Sequence, residues 1–156
     1  MKKVIAIAFV LVVLGGAVAS AGQFGIGGAF SMDVLNTANG GAMLSLKVPS
    51  IPIVWGIALQ GGGDNFNLGL TADWWLYQQG LAGALGLYVG PGLYVALPDN
   101  VELGGRVPIG INLYPLNFLE LFLEIAPTLV FYSNQGIDIP NFGLQGSFGF
   151  RFWFNL

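Results

Sequence analysis

The sequence alternates with a period of two between apolar residues and polar or small residues over most of its length. In the last segment, Phe148, Phe150 and Phe152 alternate with Gly149 and Arg151. Such alternation is typical of a β-strand whose two faces meet different surroundings. The pattern recurs in eight segments, 22–32, 41–48, 53–61, 66–77, 81–96, 101–113, 118–132 and 141–154. Short stretches rich in Gly, Pro, Asn and Asp separate them, so the sequence predicts one all-β antiparallel meander.

Composition indicates which face of these strands lies outside. Charged residues make up 8% of the chain and hydrophobic residues 54%, whereas a soluble domain is about 25% charged. One parity of each segment is large and apolar, which suits lipid. The other holds the charges of the strands together with many small residues, which suits a narrow lumen. Because a bilayer tolerates no open sheet edge, we predict a closed eight-stranded antiparallel up-and-down transmembrane β-barrel.

A helical interpretation competes with this one over residues 74–98. These 25 positions carry no charge, and Ala82, Gly86 and Gly90 recur at the four-residue spacing of helix-packing motifs. A polytopic helical membrane protein is therefore an alternative. The sequence Gly90-Pro91-Gly92 near the middle, and the absence of a flanking Lys or Arg, favour strands.

The N-terminal segment has the layout of a secretory signal peptide. Met1-Lys2-Lys3 is cationic, residues 4–14 are an apolar run of 11, and Ala19-Ser20-Ala21 supplies a small-x-small site. We predict a signal peptide over residues 1–21, cleaved after Ala21, and a barrel domain over residues 22–156. An uncleaved N-terminal anchor is the alternative, but the run is shorter than the about 20 residues of a spanning helix.

The remaining counts disfavour several functions. The formal net charge is -3, with no Cys and no His. A basic nucleic-acid patch, a thiolate metal site and histidine-based catalysis are thereby excluded. The loop carboxylates Asp33, Asp64, Asp99 and Asp138 are explained by solvation. We expect no enzyme activity, no cofactor, no metal site and no nucleic-acid partner.

The inward parity carries a predicted lumen charge network. Pairing the last hairpins by their turns places Glu124 near Arg106, and Arg151 between Glu120 and Glu124. A single chain of charges, Arg106–Glu124–Arg151–Glu120, would then cross three neighbouring strands. Unpaired charges in a narrow lumen are costly, so pairing is expected. The network can be a plug that fixes strand register, or a gate that re-pairs to open a narrow pore. Its predicted members are Lys47, Asp73, Glu102, Arg106, Glu120, Glu124 and Arg151.

Three prolines fall inside predicted strands. Pro91, Pro108 and Pro127 each lack the backbone N–H that a ladder uses. A closed barrel has no edge on which to place them, so we expect a bulge or a local bend at each.

The C-terminal residues add a more specific signal. Apolar side chains alternate to the end of the chain at Phe148, Phe150, Phe152, Phe154 and Leu156. With the eight-segment pattern, they make the chain resemble the small eight-stranded outer-membrane barrels of diderm bacteria, of the type of outer-membrane proteins A and X. That family usually ends on Phe, whereas here Leu156 continues the parity.

The resemblance implies a location and partners. The chain would lie in the bacterial outer membrane as a monomer, in contact with outer-membrane lipid. The barrel assembly machinery would read the C-terminal signal, and periplasmic chaperones would deliver the chain. A structural, membrane-integrity role or a very narrow pore is expected, and surface binding through short external loops is the alternative. External loops would lie around Asn36, Asp64, Asp99 and Gln135, and periplasmic turns around Ser50, Gln79 and Pro115.

Overall fold

The computed structural model describes residues 23–35, 40–49, 51–62, 65–97, 101–133 and 141–155. The predicted signal peptide, Leu156, Ser50 and the centres of the four predicted external loops lie outside these ranges. The described strands are β1 (Gln23–Asp33), β2 (Gly40–Lys47), β3 (Ile53–Gly62), β4 (Asn65–Trp74), β5 (Tyr77–Ala82), β6 (Leu85–Val89), β7 (Gly92–Leu97), β8 (Glu102–Arg106), β9 (Ile109–Leu116), β10 (Leu119–Ser133) and β11 (Asn141–Asn155).

Eight of these strands close into a ring. Neighbouring strands pair in the order β11, β1, β2, β3, β4, β7, β8, β10, and β10 pairs again with β11. Every pairing in the ring is antiparallel. Strands β5, β6 and β9 extend the wall beyond one end of β4, β7 and β8. There β10 pairs with β9, β9 with β6, and β6 with β5. The predicted closed eight-stranded antiparallel barrel is therefore confirmed.

The stagger of the strands is that of a tilted barrel. A line drawn across the strands through paired residues leaves β11 at Trp153 and returns to the same strand at Gly143, ten residues earlier in the chain. For eight strands, this stagger corresponds to a strand tilt of about 40°, as in membrane-spanning barrels. Every residue on this line belongs to the inward-facing set of its strand. From Trp153 to Gly143, the line passes through Gly25, Lys47, Val54, Asp73, Gly92, Arg106 and Thr128.

The two faces of the wall follow the predicted alternation. On β10, Glu120, Phe122 and Glu124 are buried, whereas Leu121 and Leu123 between them are 43% and 54% exposed. Large apolar side chains are exposed all round the outside, and examples are Phe30, Leu44, Leu59, Leu93, Leu103, Ile111, Leu121, Phe148 and Phe152. The chain thus has an apolar outer surface and a partly polar interior.

The charge-free stretch is made of strands. Residues 74–97 include the end of β4, all of β5 and β6, and β7. The polytopic helical interpretation is therefore wrong, because glycines and Pro91 break any helix here while the period-two pattern persists. None of the described residues belongs to a helix long and apolar enough to cross a membrane.

Two predicted turns lie elsewhere. Gln79 lies within β5, and the turn follows at Gly83, whose φ of 56° favours glycine. Three residues separate Asp73 from Tyr77, but only two separate their partners Gly92 and Val89. This extra residue is a β-bulge, and it was not visible in the alternation. Similarly, Pro115 lies within β9, and the turn is at residues 117–118.

The three prolines behave differently from one another. The strand is interrupted at Pro91, between β6 and β7, and at Pro108, between β8 and β9. At Pro127 the expectation of a bend is wrong, because β10 is continuous and Pro127 pairs with Leu144. Proline has no backbone N–H, and the nitrogen of Pro127 faces the gap between β8 and β9 that contains Pro108. No hydrogen bond between regularly paired strands is therefore lost there. The Pro127 carbonyl still accepts a hydrogen bond from the backbone N–H of Val107 at 3.0 Å.

Candidate functional site in the barrel lumen

The lumen has two ends, which we call the turn end and the loop end. The turn end contains Gln23, Asn155, and the turns at residues 83–84 and 117–118. The loop end contains the opposite ends of the strands, including Asp33, Gly62, Leu97 and Ser133.

An ion pair near the turn end is almost fully buried. Arg151 is 2% exposed and Glu120 is 0% exposed, and Arg151 Nη1 lies 3.0 Å from Glu120 Oε1. The carboxylate also accepts hydrogen bonds from Trp153 Nε1 at 2.9 Å and from Asn112 Nδ2 at 3.2 Å. Three donors from β9 and β11 thus converge on one carboxylate of β10, as a buried charge requires.

Aromatic rings and a hydroxyl hold the rest of the Arg151 side chain. Its Nε donates to Ser45 Oγ at 2.7 Å. The guanidinium carbon lies 3.9 Å from the centre of the Phe122 ring and 5.0 Å from that of Trp75. Both distances allow a cation–π interaction. Arg151 therefore connects β2, β10 and β11 across the lumen.

A second charged group lies closer to the loop end. Arg106 Nη2 donates to Glu124 Oε1 at 2.5 Å, and its Nη1 donates to Gln145 Oε1 at 2.9 Å. The other oxygen of Glu124 accepts a hydrogen bond from the Tyr88 hydroxyl at 2.8 Å. Arg106 Nε faces Asp73 Oδ1 at 3.2 Å as an ion pair, without the alignment of a hydrogen bond.

Among the described residues, the charges form two groups instead of the single chain expected from the sequence. Register explains the difference, because Arg151 lies opposite Glu120 while Glu124 lies opposite Ser147, four residues away on β11. No ion pair joins Arg151 to Glu124 in the described strands.

The two remaining predicted members of the network lie at opposite ends of the lumen. Lys47 Nζ donates to the backbone carbonyls of Ile51 at 2.6 Å and Val48 at 3.2 Å, near the turn end. Glu102 accepts a hydrogen bond from the Tyr94 hydroxyl near the loop end. In the described strands, no ion pair joins either residue to Arg106 or Arg151.

Sequence reasoning missed the uncharged part of the interior. Trp75 and Tyr88 stack with ring centres 4.3 Å apart, and together with Val54 they form a buried apolar cluster. Gly110 leaves room for this cluster, because a Cβ there would overlap the Tyr88 ring. The available signal was the presence of large aromatic residues on the otherwise small, polar parity.

Cavities flank this central layer. The loop-end cavity has a volume of about 180 Å³ and reaches Arg106, Glu102 and Ser147. The turn-end cavity has a volume of about 310 Å³ and reaches Lys47, Trp75 and Trp153. The two cavities share no lining residue. No group of three or more Asp or Glu residues in the described ranges is arranged to hold a metal ion.

Comparison with known proteins supports the fold. No protein-family model matches the sequence, and no curated protein matches it. Among solved structures, the chain is similar to Neisserial surface protein A, with a TM-score of 0.50 and 12% sequence identity. The match covers 88% of this chain and 99% of that one. At this identity the likeness concerns the fold alone, which is a closed eight-stranded antiparallel β-barrel similar to that of Neisserial surface protein A.

Proposed function

We propose that this barrel has a structural role in the outer membrane and that its own side chains close its lumen. The observation that carries the proposal is the buried pair of Arg151 and Glu120 between the two cavities. A solute crossing the lumen would have to displace this pair. Separating a buried ion pair costs about 3–5 kcal/mol, which opposes a permanently open pore.

The aromatic residues around the pair strengthen this argument. Trp75, Tyr88 and Phe122 are all buried and contact Arg151 or one another. Close-packed side chains leave few voids large enough for water. An ion would therefore need both a broken ion pair and a displaced ring, and we expect the wild-type barrel to be silent.

Planar-bilayer recording tests the closed lumen. We expect no conductance steps from the wild-type protein, and discrete steps from the double variant Glu120→Ala, Arg151→Ala, in which both charges are removed. Leu121→Ala is the matched control, because Leu121 is the outward neighbour of Glu120. Steps of equal size from the wild type and the double variant would contradict the proposal.

A gated narrow pore is a second candidate, and one observation favours it. Arg106 lies between two carboxylates, Glu124 at 2.5 Å and Asp73 at 3.2 Å. It can shift toward one carboxylate when the other is lost, without becoming unpaired. Rare wild-type openings whose frequency changes with Asp73→Asn would support the gate, and their absence under all applied voltages would exclude it.

Export and assembly complete the proposal. Residues 1–21 serve as a signal peptide, and the C-terminal aromatic residues serve as the signal for the assembly machinery. The mature protein is a monomer in contact with outer-membrane lipid and has no enzymatic activity. Mass spectrometry of the protein from isolated outer membranes tests the cleavage, because the mature chain should begin at Gly22. A protein retained with Met1 would contradict it.

A further inference from the structure

We propose that the free edge of β5, at the turn end, binds an extended peptide segment that carries a carboxylate and adds it to the wall as a further strand. Strand β5 (Tyr77–Ala82) is at the end of the described sheet and pairs with β6 alone. All of its residues are exposed. This inference goes beyond the proposed structural role, and it does not depend on whether the lumen conducts.

The edge of β5 is free because its neighbour in the wall is shorter. Strand β3 begins at Ile53, opposite Trp74, and the last backbone hydrogen bond on this side runs from Trp75 N–H to the Pro52 carbonyl at 3.1 Å. No described strand lies beside residues 77–82 beyond that point. About half of the backbone polar groups of a strand point to each side. Lipid cannot satisfy such groups, so this edge needs water or a partner strand.

The edge carries little of the protection that exposed edges usually have. Natural edge strands are blunted by charged residues, prolines or bulges. Strand β5 has no charged residue and no proline. Its bulge lies between Gly80 and Ala82, next to the turn, whereas Tyr77 to Gly80 pair regularly with β6. This regular part can bond to the main chain of an extended peptide, which is how strand addition gains its affinity.

A cation beside the edge selects the charge of the peptide. Lys47 Nζ donates to the Ile51 carbonyl at 2.6 Å, and Pro52, the next residue, is the last one bonded to Trp75. Lys47 therefore lies where β5 loses its neighbour. Lys47 and Gln78 of β5 also line the same turn-end cavity, in whose lining Lys47 carries the sole charge. The described contacts use two of the three ammonium N–H groups, and a peptide carboxylate can accept from the third.

A second copy of the chain does not fit this edge. Antiparallel pairing of two β5 strands requires a twofold axis perpendicular to the wall, and the two barrels would then point in opposite directions across the membrane. Parallel pairing requires an axis along the strands, and their tilt of about 40° would make the two barrel axes diverge. All copies insert in one orientation, so we assign the edge to a separate peptide that arrives from the aqueous side.

Peptide binding tests the proposal. The probe is fluorophore-labelled Thr-Val-Thr-Glu-Thr-Val-Thr with blocked ends, titrated with the mature barrel in zwitterionic detergent and followed by fluorescence anisotropy. One control peptide has Lys in place of Glu. Another is N-methylated at every Thr and Val, which keeps the side chains but blocks both edges. We expect the N-methylated peptide to lose binding and the Lys peptide to bind about fivefold more weakly. No binding of the Glu peptide, or equal binding of either control, would overturn the proposal.

Variants locate the site. Lys47→Gln should bind the Glu and Lys peptides equally. The chain has no Cys, so Gly80→Cys introduces a single thiol on β5, and no atom lies within 4 Å of its Cβ. A Glu peptide with an activated disulfide in place of one Val should cross-link there. The control is Phe118→Cys, because Phe118 is exposed at the turn end but lies in the turn between β9 and β10. If Lys47→Gln fails to fold, the Gly80→Cys variant decides the site by this cross-linking. Equal cross-linking at both positions, or a folded Lys47→Gln variant that still prefers the Glu peptide, would refute the site.

Discussion

Replacing Glu120 by alanine should destabilise the barrel strongly. Glu120 is fully buried and accepts hydrogen bonds from Arg151, Trp153 and Asn112. Its removal leaves the Arg151 guanidinium buried without a carboxylate, and breaking a buried pair in this way costs about 3–5 kcal/mol. Ser45 and the Phe122 ring remain in contact with Arg151. We therefore expect the lower end of that range, a loss of about 3 kcal/mol in the free energy of unfolding.

Urea titration of the barrel refolded into lipid vesicles measures this loss. Gel mobility reports the folded fraction, and tryptophan fluorescence provides a second probe. The matched control is Glu102→Ala, which removes a carboxylate that accepts from the single hydroxyl of Tyr94 among the contacts described. Loss of one such hydrogen bond costs about 1 kcal/mol. If Glu120→Ala costs no more than this control, the argument that the pair secures the barrel is refuted.

A double variant separates lost pairing from lost packing. Changing Arg151 to Met in the Glu120→Ala background removes the stranded charge but keeps an apolar side chain against Phe122 and Trp75. Replacing both partners of a buried pair is often neutral or stabilising. We expect the double variant to recover about half of the loss, since the interaction between the two sites is not additive. No recovery would indicate that the loss arises from the cavity alone.

Three further predictions concern other parts of the wall. Glu124→Ala removes the partner of Arg106 and Tyr88 and should cost about 2 kcal/mol, since Asp73 still faces Arg106; unchanged stability and folding rate would remove the main support for the plug. Gly110→Ala should lower the free energy of unfolding by about 2 kcal/mol, because its Cβ would overlap the Tyr88 ring. Gly80→Ala is the control and should be nearly neutral in the same urea titration, because no atom lies within 4 Å of the new Cβ. Pro127→Ala should leave the gel mobility and stability within about 0.5 kcal/mol of wild type, because β10 is already continuous there; a large gain in stability would show that the proline strains the strand.

The strand pattern of the sequence predicted the wall of the barrel well. Along β10 and β11, each residue assigned to the outer face is on that face, because lipid and lumen impose opposite demands on neighbouring residues. The polytopic helical alternative depended on a charge-free stretch alone, and charge density carries no information on backbone periodicity.

The errors arose where local pattern gives no signal. The bulge after Asp73 adds one residue to the wall, and Gln79 therefore lies in a strand instead of a turn. Alternation before and after a bulge can look regular in short segments, so its position depends on tertiary pairing. The two separate charge groups likewise depend on register, which places Arg151 opposite Glu120. Neither could be read from residue types and spacing.

Register also explains why a chain with few charges keeps several of them in its lumen. A buried ion pair stabilises a fold no better than well-packed apolar residues do. Sliding β11 by one residue against β10, however, would turn Arg151 toward lipid, where an arginine costs about 2–4 kcal/mol at the bilayer midplane. A slide by two residues would keep Arg151 inward but place it opposite Phe122 or Phe118 in place of Glu120. The ion pair thus destabilises both of the nearest alternative registers relative to the observed one. Apolar residues of the same volume at these two positions would not disfavour either register by an electrostatic effect.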